Sequence, residues 1–531
     1  MYRHFFAALL CGIIVVSCCH SGTSPDFKAL NRQAAREYLE PVRPGYEGRN
    51  PFWNKYSRKF TYAPAFDFAP VEGAAGYRFE LSDDNDGHWS FDAERPCEAL
   101  SKVWNELPVG YIHLAVLAVD KGGAVLDTAG KRSFLRDYPF AGPYHAPAES
   151  YRTCALKAVL FTHNMLPIQS WKTSTEPDMA YHLNTYVCKM GGATIRNECL
   201  VAKMVPELRE DALLIAHHVA EFLVSVSQPE GHPLAYFPPT YYKHYAASRW
   251  DWNQGKTMTM EPLFVADGFL DLYDATGEKE WFERTLNIAR TYQRLQREDG
   301  TMPIKLFYET GEAVNDMTAR LHPIVAFVTR LQDQYGVHEF DEMKAKAEKW
   351  MDEVALKDFD MTGQFEDVQV EDVEPYQNLT NCTSAPYASC LLRRHNRTER
   401  DVAEAHDLIR FCEDQFVHWG CLRGLYNGRM ENEWTPCVHE QYRFDVSVDA
   451  SAHNMIEAWL DYWEVTGDEL ILEKAKAMAA SITNMQIHNT GQIPTLWTFR
   501  RENASCYWLN CAFATTLSLL RMADLQDNGI I

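Results

Sequence analysis

Four stretches of the chain concentrate the aromatic and ionisable side chains from which a reactive site can be built. The first covers residues 236–262, where two prolines precede a dense group of such side chains. The members of that group are Tyr241, Tyr242, His244, Arg249, Trp250 and Asp251. Aromatic faces offer stacking platforms, an arginine fork binds a carboxylate at two points, and an aspartate is an acid or a base. We expect this stretch to bind a ligand, and a packed surface loop is the alternative interpretation.

The second stretch, residues 363–386, is acidic. Glu366 and Asp367 lie between Phe365 and Val368, which indicates partial burial. Burial raises the pKa of a carboxyl group and keeps it protonated near neutral pH, as a general acid requires. We interpret the second acidic group in the same stretch, Glu371, Asp372 and Glu374, as a solvated loop.

The third and fourth stretches, residues 434–454 and 493–510, add further candidates. The candidate ligand-binding side chains there are His439, Arg443, Trp497, Arg500 and Trp508, and the candidate carboxyl groups are Glu440 and Asp445. An arginine is well suited to a carboxylate ligand because its planar fork binds both oxygens.

Two kinds of chemistry are available to these residues. A protonated carboxyl with a carboxylate partner supports general acid–base catalysis, with Glu366 or Asp367 as one partner and Glu440, Asp445 or Asp251 as the other. In the alternative, the tyrosines and the histidine of the first stretch supply a base, and the arginine of the third neutralises a carboxylate, which supports β-elimination. The residues alone leave both open.

An internal repeat indicates which elements position the four stretches. Residues 261–304 and 448–495 both contain an apolar helix, a Thr-Gly-acidic turn, a second helix, a glutamine and Gly-x-x-Pro. The aligned anchors are Thr276-Gly277 with Thr466-Gly467, Gln296 with Gln486, and Gly300 and Pro303 with Gly491 and Pro494. Such a helical hairpin cannot bury its apolar face alone, so several must pack together. We interpret the first helix of residues 448–495 as scaffold and expect the chemistry just before it.

Helical periodicity extends over residues 148–531. It predicts about twelve helices, at 153–165, 178–190, 206–227, 259–274, 278–297, 316–335, 339–354, 383–394, 399–416, 447–465, 468–487 and 504–524. Twelve helices in six hairpins favour a mainly α fold, a closed (α/α)6 toroid, over an open solenoid. Because the connecting loops are long and aromatic, we expect them to surround the mouth of the toroid.

The part of the chain before the helices has a different pattern. Residues 60–140 alternate apolar and polar positions between turn signals, which predicts a small β-sandwich with the strand spacing of a fibronectin type III-like module. Residues 19–59 form a linker with one short helix. Residues 1–18 are predicted to be a lipoprotein signal peptide, because Val15-Val16-Ser17 precede Cys18 as in a lipobox. We therefore expect export to the cell envelope, at the periplasmic side or outer membrane, with a plain signal peptide as the alternative.

The overall charge narrows the class of partner. The formal net charge is −22, and no run of lysine and arginine offers a basic footprint for nucleic acid. The cysteines and histidines lack zinc-site spacing. We expect no nucleic acid partner, no metal, no cofactor, and no membrane contact beyond a lipid anchor on Cys18.

These features together resemble the six-hairpin glycosidase superfamily of Bacteroidetes lipoproteins. The resemblance rests on the leader, the small β-domain and hairpins of the type LYDATGE at residues 272–278. That superfamily includes unsaturated glucuronyl hydrolases, the β-glucuronidases of glycoside hydrolase family 154 and uronate-specific polysaccharide lyases. The resemblance implies a glycoside hydrolase acting on a uronic-acid-containing glycan. A lyase on the same scaffold is the alternative, followed by a glycan-binding lipoprotein without catalysis.

Overall fold

The computed structural model describes residues 25–43, 53–243, 253–364, 373–421, 435–442, 444–497 and 507–531. Its longer helices are α1 (Phe27–Glu37), α2 (Tyr151–His163), α3 (Val187–Met204), α4 (Arg209–Ser225), α5 (Pro262–Thr276), α6 (Lys279–Leu295), α7 (His322–Tyr335), α8 (Asp341–Trp350), α9 (Asn381–Leu392), α10 (Glu399–Phe416), α11 (Asp449–Thr466), α12 (Glu469–Met485) and α13 (Leu509–Asp527). Shorter helical segments are Leu166–Gln169 and Leu356–Asp358, with a π-turn at Met351–Ala355. None of the helices in the described ranges has the length and hydropathy needed to cross a membrane.

Six of these helices form a closed inner ring. Helix α3 packs against α5, α5 against α7, α7 against α9, α9 against α11, α11 against α13, and α13 returns to α3. Each inner helix has an outer partner: α4, α6, α8, α10 and α12 follow theirs in the chain, while α2 packs outside α13. The helix contacts therefore confirm the predicted (α/α)6 toroid.

Helices α3 and α5 of the ring pack closely at two glycines. A Cβ atom on Gly192 would come within 2.3 Å of the carbonyl oxygen of Phe264, and one on Gly268 within 3.1 Å of that of Gly192. Only residues without side chains permit the two backbones to pack at this distance. The pair Gly191-Gly192 also explains why the predicted helix 178–190 stops at residue 190, since glycines disfavour a helix interior unless packing requires them. The observed α3 begins nine residues later and continues through both glycines.

The inner-to-outer turns of the sequence repeat are alike in detail. Gly277 and Gly467 end α5 and α11 with φ angles of 79° and 72°, in the left-handed region that glycine tolerates. The hydroxyl of the preceding threonine donates to the carbonyl four residues back in both copies, at 2.8 Å. The same hydroxyl accepts from the amide of Glu278 in one copy and Asp468 in the other, at 3.2 and 3.3 Å.

The glutamine and the second glycine of the repeat join neighbouring hairpins. The Gln296 side chain donates to the carbonyls of Gly300 and of Met343 in α8, at 3.1 and 2.8 Å. In the other copy, Gln486 donates to Gly491 and to Cys154 in α2, at 2.8 and 2.9 Å. Since α2 is the first helix of the toroid, the second copy of this contact helps to close the ring.

Replacing Gly491 with alanine is expected to destabilise the protein by about 2–4 kcal/mol. The cost arises because alanine is strained in the left-handed backbone conformation and because its Cβ atom would force neighbouring atoms to shift. Gly491 has φ of +90°, and a Cβ atom there would lie 2.3 Å from the carbonyl oxygen of Lys157. Gly467→Ala is the matched control, because that glycine has positive φ but open space around its Cβ position. Chemical denaturation of both variants checks the prediction, and equal losses would contradict it.

The strands before the toroid form one curled sheet. They are β1 (Lys59–Phe60), β2 (Gly76–Asp83), β3 (His88–Ala93), β4 (Gly110–Val119) and β5 (Val125–Arg136), in the order β1-β5-β4-β2-β3. Strands β1 and β5 are parallel and the other pairs are antiparallel, with Phe79 opposite Val116. One face of β4 is buried, through Ile112, Leu114, Val116 and Ala118. The described residues of this region form a single sheet, so the fibronectin type III-like sandwich is not confirmed.

Short strands also occur among the loops of the toroid. Strand β6 (Lys256–Met258) pairs with β7 (Lys305–Phe307). Strand β9 (Cys437–Gln441) pairs with β8 (Val417–His418) on one side and with β10 (Phe444–Ser447) on the other. All these strands lie in segments that lead into inner helices.

Candidate functional site

The two ends of the helix ring differ in their connections. The chain passes from inner to outer helices through short turns, such as 277–278 and 467–468, and returns through long segments, such as 226–261 and 417–448. The N-terminal ends of the inner helices therefore share the end that carries the long segments. Helix dipoles make that end favourable for acidic groups and anions. We call this end the mouth.

Ion pairs between inner helices occupy the opposite half of the ring. Arg330 of α7 binds Asp267 and Asp271 of α5 at 2.9 and 2.5 Å, and Arg196 of α3 binds Asp271 at 2.7 Å. Across the ring, Arg393 and Arg521 both pair with Glu457 and Asp461 of α11, at distances between 2.7 and 3.1 Å. These charges already neutralise one another, which favours the mouth as the position of a reactive group.

Five side chains from five different elements lie at the mouth, where Cys511 interacts electrostatically with the other four. They are Lys189 (α3), Cys382 (α9), Glu440 (β9), Asp449 (α11) and Cys511 (α13), and we call them the mouth cluster. Burial raises the pKa of the Cys511 thiol well above its ordinary value. The charges of Asp449 and Glu440 raise it further, whereas Lys189 lowers it. The Cys511 thiol is thus the common neighbour of two carboxyl groups and one ammonium group.

Asp449 is the least accessible carboxyl of the mouth cluster. It begins α11 and is fully buried; its backbone amide donates to Thr495 at 3.0 Å. Its Oδ1 accepts from the amide of Ala450 at 2.8 Å, while Oδ2 has no hydrogen-bond partner of ordinary geometry among the described residues. Burial raises the pKa of Asp449 well above its ordinary value; the Ala450 amide and the Thr515 hydroxyl offset this in part, and the charge of Glu440 adds to it. The protonated form of Asp449 is therefore favoured.

Glu440 is placed by the alternation of strand β9. Its side chain is partly exposed and its Oε1 lies 3.7 Å from the Cys382 thiol, while its carbonyl accepts from the Thr380 hydroxyl at 2.7 Å. The neighbouring His439 is 4 % exposed and packs its ring 4.2 Å from that of His418. Successive side chains of a strand point to opposite faces, so Glu440 faces the mouth and His439 does not.

Aromatic side chains stand beside the cluster. The Tyr186 ring lies 4.9 Å from that of Trp508 and 5.4 Å from that of Tyr241, and all three side chains are partly exposed. The Lys189 ammonium lies 5.9 Å from the centre of the Trp508 ring and 3.1 Å from Oε1 of buried Glu261. The mouth therefore combines ring faces with a cation and two carboxyl groups of different burial.

Only some of the residues predicted from the sequence belong to this site. Tyr241, Trp508 and Glu440 lie at the mouth. Trp497 is 2 % exposed, and Tyr242 packs its ring against Phe222 at 5.1 Å. Trp497 and His439 are both buried, so a ligand would reach either side chain only after its neighbours moved, and both assignments stay predictions.

The remaining predictions fall outside the described residues. These are Cys18, His244, Arg249, Trp250, Asp251, Glu366, Asp367, Arg443 and Arg500, together with the side chain of Asp445. They stay predictions.

Lys189, Glu261 and Asp449 were missed. Asp449 lies two residues after β10 and opens an apolar helix, so an acidic residue at that junction was the available signal. Lys189 and Glu261 give no comparable signal, because each stands beside apolar residues that a helix core also explains. In the described ranges, no three histidine, cysteine or acidic side chains lie close enough to hold a metal ion.

No protein-family model matches the chain, and no curated protein matches it. Among solved structures, it is similar to a family 76 α-mannanase from Bacteroides thetaiotaomicron, with a TM-score of 0.47 and 12% identity over 72% of this chain and 97% of that one. It is also similar to cellobiose 2-epimerase from Spirochaeta thermophila, with a TM-score of 0.48 and 9% identity over 72% and 100%. An unsaturated glucuronyl hydrolase specific for heparin gives a TM-score of 0.44 and 8% identity over 72% and 97%. These values are too low to assign an activity, and the closed ring of hairpins is established by the helix contacts of this chain.

Proposed function

We propose that the protein is a carbohydrate-active enzyme, a glycoside hydrolase that cleaves a uronic-acid-containing glycan at the mouth cluster. The observation that carries the proposal is the buried Asp449 carboxyl, whose raised pKa favours its protonated form beside Glu440. Hydrolysis of a glycosidic bond needs one carboxyl group to protonate the leaving oxygen and a second to activate water or attack carbon. Asp449 is the general acid in this proposal, and Glu440 is its carboxylate partner.

The groups around the two carboxyls fit a sugar substrate. Tyr186, Tyr241 and Trp508 offer ring faces on which a pyranose can pack. Lys189 is the cation of the cluster, but it is buried and paired with Glu261, so it meets the carboxylate of a uronate only if that ion pair rearranges. Asp449 has no exposed surface. The proposal therefore requires the surrounding side chains to shift when a glycan enters the mouth.

A product assay tests the proposal. The purified protein is incubated with a panel of uronate-containing glycans, and reducing ends are followed together with the ultraviolet absorbance of an unsaturated uronate. We expect reducing ends to appear without the absorbance change, because hydrolysis creates no double bond. A rise in both signals identifies a lyase, and binding without either signal identifies a glycan-binding protein; both outcomes overturn the proposal.

A further inference from the structure

The strand that carries Glu440, β9, is connected through β8 to the N-terminal sheet. Strand β8 pairs with β9 on the side opposite to β10, with Val417 opposite Val438 and His418 opposite Cys437. Both residues of β8 contact side chains from the sheet that precedes the toroid. Because β9 is only five residues long, its placement depends strongly on these neighbours.

The contact consists of buried charges. The Lys59 ammonium, in β1, donates to Oδ2 of Asp137 at 2.8 Å and to the carbonyl of Val417 at 2.6 Å. Nδ1 of His418 lies 2.6 Å from the same Oδ2. Lys59, Asp137 and His418 are each less than 5 % exposed. The Asp137 carboxylate therefore contacts the His418 side chain of β8 directly, and it contacts the Val417 carbonyl of β8 through Lys59.

A second contact fixes the other end of β9. The hydroxyl of Tyr442, the residue after the strand, lies 2.9 Å from the Ser57 hydroxyl. The amides of Thr61 and Tyr62 donate to Oδ1 of Asp414, near the end of α10, at 2.6 and 2.8 Å. The segment 57–62 thus touches the chain before β8 and after β9, and Glu440 lies between these contacts.

We propose that Lys59 and Asp137 are positioning residues for Glu440, so that the N-terminal sheet is part of the catalytic framework. The inference rests on the proposed function for the role of Glu440. Buried ion pairs contribute little net stability compared with apolar residues of similar volume, whereas their geometry is strict. Displacement of a catalytic group by about 1 Å costs on the order of 10²-fold in rate. Lys59 and Asp137 hold β8, and β8 pairs with β9. Through β8 they set the position of β9, the strand to which Glu440 belongs.

The test uses the double variant Lys59→Met/Asp137→Asn in the full chain. Removing both charges avoids leaving one buried and unpaired, so the variant is expected to fold. The matched control is His163→Gln/Glu198→Gln, which removes a buried pair of 2.6 Å between α2 and α3 that does not touch β8 or β9. Hydrogen exchange of the amides of Cys437–Gln441, the melting temperature, kcat and KM are measured for both variants and for the parent.

We expect exchange in β9 to quicken about tenfold and kcat to fall about 10–100-fold in the Lys59/Asp137 variant, with KM within about twofold of the parent. The control is expected to change neither the β9 exchange nor kcat by more than about twofold. Unchanged exchange in β9, or faster exchange with unchanged kcat, overturns the inference. If the parent cleaves no glycan, but exchange in β9 still quickens in the Lys59/Asp137 variant and not in the control, the proposed function is wrong. The role of Lys59 and Asp137 in placing β9 is then still confirmed.

Discussion

Replacing Asp449 with asparagine is expected to lower kcat by about 10²–10⁴-fold, because the variant keeps the shape of the side chain and loses its transferable proton. The asparagine side chain retains an oxygen for the amide of Ala450, so glycan binding is expected to persist. Glu440→Gln is expected to cause a loss of similar size, because it removes the second carboxyl of the pair. Steady-state kinetics and equilibrium binding of the same glycan separate the two effects.

The matched control for both variants is Glu464→Gln. Glu464 lies on α11 like Asp449, is about half exposed, and pairs with Arg521 at the end of the ring opposite to the mouth. Its kcat is expected to stay within about twofold of the parent, as for a surface ion pair. Full activity in Asp449→Asn would remove Asp449 from the reaction, and a loss in the control would mean that activity follows general stability.

The Asp449→Asn variant should also gain stability relative to the parent as the pH rises. The pKa of Asp449 is raised in the folded protein above its unfolded value of about 3.9. At a pH between the unfolded and the folded pKa, the folded state therefore holds a proton that the unfolded state has lost. The contribution of this group to stability is therefore present in acid and is lost as the pH rises through the folded pKa. The asparagine amide does not titrate, so the variant's gain over the parent should grow from acid toward alkaline pH. Denaturation curves at several pH values check this, and a gain largest in acid would contradict it.

The repeat shows how much of this fold is readable from the sequence. Thr-Gly turns, a glutamine and a second glycine at fixed offsets predicted a hairpin, and each anchor makes the same hydrogen bond in both copies. These anchors act locally or on the next hairpin, so their types carry the information. In contrast, α3 contains Gly191-Gly192 because Gly192 packs closely against Phe264 of another hairpin, a contact that no local sequence pattern indicates.

The β-domain and the mouth depend on contacts that local sequence patterns do not specify. Alternation predicted strands correctly, but it does not specify what covers the apolar face of a sheet. The mouth cluster draws one side chain from each of five elements, and Lys189, Cys382 and Cys511 are unremarkable in their own segments. The complete burial of Asp449 is a property of the closed ring and not of the residues beside it in the sequence.

Replacing Glu413 with alanine is expected to lower the free energy of unfolding by about 3–5 kcal/mol, the cost of leaving a buried charge without its partner. Glu413 and Lys474 are both fully buried, and their charged groups lie 2.8 Å apart between α10 and α12. The next anion near Lys474 is Glu37, at 3.8 Å. The Glu413 carboxylate also accepts hydrogen bonds from Tyr38, Tyr62 and Trp419 at 2.7 to 3.1 Å.

A double variant separates the charge from the hydrogen bonds. Glu413→Ala/Lys474→Met removes both charges, so it should recover part of the loss and leave a cost of about 1–3 kcal/mol for the three donors that lack an acceptor. Urea denaturation of the parent, both single variants and the double variant gives the coupling energy. If Glu413→Ala lowers the free energy of unfolding no more than the double variant does, Glu413 does not stabilise the buried charge of Lys474. The opposite result would show that the N-terminal segment, through Tyr38 and Tyr62, and two outer helices of the toroid depend on one carboxylate.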